Sequence, residues 1–142
     1  MSQRYNIAIA LRDQLTEIPE LTTILVVSNI DEKYPEDLAC DLLPAVKIHF
    51  TDESTEYNPD LRGLNKISGD LWLFCIEWDK NSIFYEESLL KLVRDKIGED
   101  ISIKDTAINI DIKHIVKTEA RYPLVMYKIN VDILYEGSIF NL

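Results

Sequence analysis

Few residues in this sequence have the types and spacing that chemistry requires. His49 and His114 lie far apart, alternate with apolar neighbours and have no acid or nucleophile at a recognised spacing, which favours structural roles. Cys40 and Cys75 show no C-x-x-C spacing and no nearby histidine, which favours reduced thiols in a cytosolic setting. No H-E-x-x-H, G-x-S-x-G or P-loop motif occurs, and glycine appears only four times. The sequence therefore predicts no catalytic, cofactor-binding or metal-binding residues, and no enzyme.

Three carboxylates support an alternative that involves a metal. Asp111, Asp132 and Glu136 could converge on one hairpin and bind Mg²⁺, as in a nuclease. Carboxylates that alternate along the wet face of a strand more often serve solvation alone. Trp72 and Trp78 are separated by an even number of positions, which predicts that both lie on one face, in a core and not as a ligand platform.

Length and composition predict one soluble domain spanning residues 1–142. Hydrophobic residues make up 46% and charged residues 28%, which argues against disorder. The longest apolar runs, 24–27 and 71–76, are too short to cross a bilayer. Residues 1–4 begin no signal-peptide apolar region, so we expect no membrane partner and no secretion.

The charge balance argues against nucleic-acid binding. The chain has 15 basic and 25 acidic residues, a net charge of −10. Binding to phosphates requires clustered Lys and Arg, because released counterions drive it. The densest basic segment, 91–96, is interrupted by Asp95. An acidic surface can also serve solubility alone.

Period-two alternation organises the C-terminal part of the chain. Apolar residues occupy every second position of 124–135, namely Val125, Tyr127, Ile129, Val131, Ile133 and Tyr135. Met126, Lys128, Asn130 and Asp132 fall on the other face. Ile108, Ile110 and Ile112 alternate in the same way upstream, and 117–123 reads as the connection. We interpret the two runs as a long antiparallel hairpin with one buried face and one wet face available to a partner.

The remaining elements predict an α+β domain with helices packed on one face of a mostly antiparallel or mixed sheet. The order is α-β-β-β-α-β-β. The first helix spans 3–18 and is ended by Pro19, and the second spans 83–97, with Asn81 or Ser82 as its cap and Gly98 as its stop. Between the helices we expect strand 22–27, an acidic surface excursion at 31–41, strand 45–50 and the central strand 71–76.

Residues 51–70 are polar and lack periodicity, which predicts a long loop. Leu61, Leu64 and Ile67 recur within it at every third position. The loop either becomes ordered against a neighbouring subunit or stays unstructured.

The order of elements carries a resemblance to a known family. An amphipathic N-terminal helix is followed by an early strand, the segment L-P-A-V-K-I at 43–48 and a polar loop. Then come the strand leading to Trp78, the second helix and the alternating strand ending at Tyr135. This order resembles that of the tail terminator, or tail-completion, family of tailed bacteriophages. The resemblance covers roughly residues 5–135, and the acidic segment 31–41 departs from it.

The resemblance implies a virion protein without catalytic residues, located at the top of the tail and in the host cytoplasm during assembly. A homohexameric ring would cap the tail tube protein, stop tube growth and join the tail to the connector or neck protein of the head. A sheath protein would be a further partner if the tail contracts. Double-stranded DNA would pass through the lumen without specific binding.

Two expectations follow for such a ring. Acidic residues would be enriched at the lumen, where they repel DNA. The segment 51–70 and the wet face of the hairpin would supply the contacts that differ between the two sides of the ring. Deleting residues 60–68 should then leave a folded protein that fails to terminate tubes.

Three alternatives stay open from the residues. The chain could be another head–tail joining or neck protein, or the cap of a phage-derived contractile injection system. It could be a small metal-dependent enzyme that acts through Asp111 and Asp132. It could also be a soluble regulatory binding module, for which a monomer or dimer would be expected.

Overall fold

The computed structural model describes residues 3–26, 43–58, 61–76, 83–119 and 124–136. For 52–58, 61–63, 76, 83–86, 118, 119 and 124 it describes the backbone alone. The elements are, in chain order, α1 (Gln3–Thr16), β1 (Thr23–Val26), β2 (Ala45–Asn58), β3 (Leu61–Ile76), α2 (Ile83–Glu99), β4 (Asn109–Glu119) and β5 (Leu124–Glu136). The acidic segment 31–41 and Trp78 lie outside the described residues.

The strands form one mixed sheet in the order β1-β2-β3-β5-β4. β1 runs parallel to β2, and every other neighbouring pair is antiparallel. Residues of both helices join alternate residues of β2, β3 and β5 in one buried cluster, so the helices cover the same face. The predicted α+β class and the order α-β-β-β-α-β-β are therefore confirmed.

The C-terminal hairpin is confirmed in pairing and in orientation. β4 and β5 are antiparallel, and all six apolar positions from Val125 to Tyr135 are buried in the core. β4 extends through Lys117, which the sequence had placed in the connection. The expected wet face is only partly wet, because Met126 is also buried.

β3 is the middle strand, as its apolar run predicts. Five consecutive side chains from Leu71 to Cys75 are buried, because β2 and β5 flank the strand and both of its faces are covered. Cys75 is among them, and Cys40 lies outside the described residues. A strand buried on both faces has no reason to alternate apolar and polar residues.

The predicted loop 51–70 is wrong, because these residues are the distal halves of β2 and β3. The two strands pair from Ala45↔Phe74 to Asn58↔Leu61, with register shifts at Phe50/Asp52 and Glu56/Asn58. Backbone hydrogen bonds hold such a hairpin whatever its side chains are, so it needs no alternating pattern. The register shifts disrupt the remaining periodicity. Ile67 is fully buried, so part of this segment belongs to the core.

The helices end close to the predicted positions. α1 stops at Thr16, two residues before the predicted end, and its predicted buried positions Ile7, Leu11 and Leu15 are in the core. α2 continues through Gly98 to Glu99, so Gly98 does not stop it.

A side chain from α1 caps the end of α2. Gln14 Nε2 donates to the carbonyl oxygens of Lys96 at 2.8 Å and Asp100 at 3.2 Å. Carbonyls in the last turn of a helix lack partners within the helix. The helix end is thus satisfied by a tertiary contact that the local sequence does not contain.

A left-handed turn follows α2. Ile103, Lys104 and Asp105 have φ of 49, 53 and 65°, a region that side chains disfavour and that is rare for a β-branched residue. Asp100 holds the turn: its Oδ1 accepts from the Ser102 Oγ at 2.5 Å, and its Oδ2 accepts from the Lys104 N–H at 2.9 Å. The fully buried Ile103 anchors the turn in the core.

We expect Asp100→Asn to reduce the acid sensitivity of folding. The hydrogen bond from Ser102, and then that from the Lys104 backbone, lower the pKa of Asp100 below its ordinary value. A lowered pKa contributes stability at neutral pH that is lost as the pH falls from about 5 toward 2. The urea midpoint of the native chain should fall over this window, and that of the variant should fall less. Asp95→Asn, at an exposed position on α2, controls for the loss of one ionisable group; equal slopes for all three proteins would contradict the prediction.

Candidate functional site

The sheet face opposite the helices gathers most of the residues that sequence reasoning selected. We call it the outer face. Side chains at paired positions of neighbouring strands lie side by side, so the outer face forms rows across the sheet. Its described members are Ala45, Lys47, His49, Leu64, Lys66, Ser68, Asp70, Trp72, Phe74, Asn109, Asp111, Lys113, His114, Val116, Met126, Lys128, Asn130, Asp132, Leu134 and Glu136.

One end of the outer face is a small second core. Phe74, Trp72, Met126 and Ala45 are buried together, with Leu43 packed against them. Trp72 therefore packs in a core, as predicted, although this core lies opposite the main one. The apolar end shows that the outer face is not uniformly solvated.

The next row places two lysines beside Trp72. Lys47 pairs with Trp72 across one strand boundary and Lys128 pairs with it across the other. The Lys128 Nζ lies 5.5 Å from the centroid of the Trp72 ring, and the Lys47 Nζ lies 6.0 Å from that of Phe74. Ammonium groups at this distance are attracted to the ring face. Aromatic rings therefore support two cations where the apolar end meets the polar one.

The two histidines fall in a single row. His49, Asp70, Asn130 and His114 are consecutive partners across β2, β3, β5 and β4. Asp70 is 6% exposed and accepts from the Asn130 Nδ2 at 3.2 Å, and the Lys128 Nζ lies 3.9 Å from its Oδ2. Pairing register thus brings an acid opposite His49, which no spacing in the sequence reveals. His49 is half-buried and His114 is exposed.

Asp111 and Asp132 do meet, as the metal alternative requires. They are direct partners across β4 and β5. Lys113 lies between them, with its Nζ 3.1 Å from Asp111 Oδ2 and 3.8 Å from Asp132 Oδ2. The Asp111 hydrogen bond and charge, and then the Asp132 charge, raise the pKa of Lys113 against a smaller opposing effect of burial. Asp132 also accepts from the Ser68 Oγ at 2.8 Å and lies 3.5 Å from the Lys66 Nζ.

Glu136 does not join the two aspartates. It lies four positions beyond Asp132 on an extended strand, about 13 Å away. Among the residues that the structure describes, no group of three or more His, Cys, Asp or Glu side chains is arranged to hold a metal ion. The carboxylates that do meet form an ion-pair network with lysines.

The acidic excess of the chain is concentrated in two segments of the sequence. The described outer face carries four lysines, three aspartates and one glutamate. By contrast, residues 31–41 hold five acids and one lysine, and residues 52–58 hold three acids and no base. These two segments therefore account for seven of the ten excess negative charges.

A groove lies between α1 and the β1 edge. It encloses about 680 Å³ and is lined by Arg4, Tyr5, Ala8, Ile9, Arg12, Ile24, Leu25, Val26, Ile48 and Phe50. Its described lining includes two arginines and no acid. Sequence reasoning missed the groove, because its lining comes from three separate elements.

Polar interactions define the rim of this groove. The Arg4 Nη2 donates to the Phe50 carbonyl at 2.8 Å, beyond the point where β1 stops pairing with β2. The Arg12 Nη2 lies 3.3 Å from the exposed Asp13 carboxylate. Tyr5 and Leu25 remain 46% and 39% exposed. The groove thus combines an apolar floor with a basic rim.

None of the described helices is both long and apolar enough to cross a membrane.

Comparison with known proteins adds no assignment to this geometry. The chain matches no known family model, and no match is found among curated proteins.

Proposed function

We propose that the chain is a structural protein of a tailed phage, a tail terminator that forms a homohexameric ring. The ring caps the tail tube, stops its growth and joins the tail to the head connector while DNA passes through. In support, the helices and strands of the family resemblance occur in the expected order in the folded chain, although the expected polar loop 51–70 forms paired strands. The outer face supports the proposal too. Lysines neutralise its carboxylates, so this face offers a surface for contact with a neighbouring protein.

The observation that carries this proposal is the long β2–β3 hairpin. β1 pairs with β2 only from Ala45 to Ile48, whereas β2 continues to Asn58. Among the described residues, no strand pairs with the outer edge of β2 beyond Ile48. We call β2 residues 51–58 and β3 residues 61–66 the arm. A free strand edge is a ready template for pairing with another chain.

An arm of this kind suits a protein that stops a polymer. A heterologous contact joins unlike surfaces and closes into a ring if its rotation allows. Such a ring offers different faces to the tube and to the connector, so tube subunits cannot add beyond it. The arm extends the β2–β3 hairpin beyond the residues of β2 that pair with β1, and its residues 64–66 also pair with β5.

Charge placement is consistent with passage of DNA. Six copies of a −10 chain carry a net charge of −60. Segment 31–41, with five acids and one lysine, holds four of the ten excess negative charges of each chain, so in this proposal it is the part that approaches the lumen. DNA would then be centred by repulsion, since neutralising its phosphates would hold it in place.

Shortening the arm is expected to abolish tube capping and leave the fold intact. The earlier deletion of 60–68 is unsuitable, because it removes the fully buried Ile67 and Asn65, which is 1% exposed. Replacing residues 56–64 by Asn-Gly instead lets Thr55 and Asn65, which already pair, close a two-residue hairpin. Electron microscopy of tail tubes assembled with this variant should show tubes of uncontrolled length that do not join heads.

The control for this experiment is Lys91→Glu, at an exposed position on α2 away from the arm. It should cap tubes as the native chain does. Tails of normal length joined to heads in the presence of the shortened variant, with its circular dichroism unchanged, would contradict the role of the arm. Failure of the native chain itself to cap tubes would contradict the proposed function.

A further inference from the structure

The α1 groove and the arm of the same chain have complementary chemistry. The groove offers Arg4, together with Arg12 in an exposed ion pair with Asp13, around an apolar floor that includes Ile24, Val26 and Ile48. Residues 52–58, D-E-S-T-E-Y-N, combine three acids with one tyrosine and no base. A basic rim with an apolar floor therefore matches a segment that is acidic and carries an aromatic ring.

The tip of the arm cannot reach the groove of its own chain. The groove ends on β2 at Phe50, and the arm continues from there as an extended strand to Asn58. Eight residues of strand carry the tip about 26 Å away from Phe50. β2 pairs with β3 throughout this stretch, so the arm cannot fold back without breaking that pairing. Any contact between the tip of the arm and the groove must join two copies.

The groove also borders free strand edges. Within the part of the chain that the structure describes, β1 is the edge strand of the sheet and pairs with β2 on one side only. Arg4 binds the Phe50 carbonyl where the free edge of β2 begins. Tyr5 and Leu25, beside these edges, are two of the five exposed large hydrophobic side chains among the described residues. An incoming strand would find both edge hydrogen-bonding groups and apolar surface here.

We infer that the α1 groove binds the arm of a second copy, residues 52–58, in a head-to-tail contact. The arginines face the acids of the incoming arm, and the apolar floor receives its tyrosine. Each copy then gives one arm and receives another, and repetition closes the ring. This inference rests on the proposed ring and names the surfaces that form it.

Disulfide trapping between copies tests the contact directly. In a Cys40→Ser background, one variant carries Leu25→Cys in the groove and another carries Tyr57→Cys in the arm. Mild oxidation of the two mixed together should give a crosslinked dimer that neither gives alone. A chain with both substitutions should give a ladder that ends at the closed ring on a non-reducing gel. Tail tubes are added if the chain is monomeric alone.

Charge reversal supplies a readout that does not depend on cysteine. Arg12→Glu should weaken self-association at least about tenfold, because the new carboxylate would repel the acids of the incoming arm. Sedimentation velocity measures the association constant. Adding Glu56→Lys should restore part of the loss, and Lys91→Glu should have no effect. Lys91 is exposed on α2 and lies outside the groove.

The outcomes separate the contact from the function. A ladder from a protein that does not cap tubes would support the contact and contradict the tail terminator proposal. If Arg12→Glu caps tubes as the native chain does, and the cysteine variants form no crosslink in the presence of tubes, the contact between arm and groove is contradicted. The tail terminator proposal is then unaffected. A crosslink between two Leu25→Cys copies would instead indicate a twofold interface and would also overturn the inference.

Discussion

Gly69→Ala is expected to lower the free energy of unfolding by about 2–3 kcal/mol, in the upper range for overpacking. A Cβ at this position would lie 2.7 Å from the His49 carbonyl oxygen and 2.8 Å from the Phe50 Cα. Both are backbone atoms, which cannot move aside as the end of a flexible side chain can. The Phe50 Cδ1, at 2.9 Å, would also be displaced. Urea denaturation of the purified chain measures the loss.

The close approach at Gly69 comes from the register shift in β2. Phe50 pairs with Gly69 and Asp52 with Ser68, so Thr51 is an extra residue that pushes the strand toward its neighbour. Gly69 also accepts a hydrogen bond from the Asn130 side chain at 3.3 Å. Glycine within a strand often marks such a close contact between backbones.

Gly98→Ala is the matched control and should have the opposite sign. Nothing lies within 4 Å of a Cβ built at Gly98, which is exposed in the last turn of α2. Alanine should stabilise the chain there by about 0.5 kcal/mol, because glycine loses more backbone entropy in a helix. A Gly69→Ala variant as stable as Gly98→Ala would show that β2 and β3 are further apart than described.

Phe74→Ala is expected to cost about 3–5 kcal/mol of unfolding free energy, as much as truncating an aromatic side chain in a main core. Phe74 is fully buried on the outer face, beside Trp72 and Met126. Truncation would remove its contacts and leave a cavity that these large neighbours fill only partly. Thermal or urea unfolding measures the loss.

Val116→Ala is the control for Phe74→Ala, because it tests whether the loss of stability depends on burial or only on position on the outer face. Val116 lies on the same face but is 47% exposed. Its truncation should change the unfolding free energy by no more than about 0.5 kcal/mol. If Phe74→Ala cost as little, the apolar end of the outer face would be open to water, and that end would become a further surface for partners.

Local patterns are sufficient for elements that lie between one core and water. The alternation from Val125 to Tyr135 places β5, and its apolar positions are all buried. The stripe of Leu89, Val93 and Ile97 likewise identifies the buried side of α2. In both cases a single boundary between core and solvent imposes the period of the element on the sequence.

The same approach fails for the arm, because its sequence carries no apolar alternation. Residues 52–58 are polar, and their strand is held by backbone pairing with β3. Ile67, at the base of the arm, is buried in the core, but the residues next to it in the sequence are polar and give no periodic signal. A strand whose residues are mostly polar and whose backbone pairs with a neighbouring strand leaves no hydrophobic period to detect.

The sequence by itself determined the α+β class, the order of elements, the middle strand, the buried face of the C-terminal hairpin and the net charge of −10. These properties follow from composition and from periods within one element. Only the tertiary structure decided that residues 51–70 are strands, that His49 lies opposite Asp70, that Lys113 lies between Asp111 and Asp132, and that α1 and β1 enclose a groove with a basic rim. Each of these depends on pairing register or on contacts between distant elements, which the local sequence does not specify.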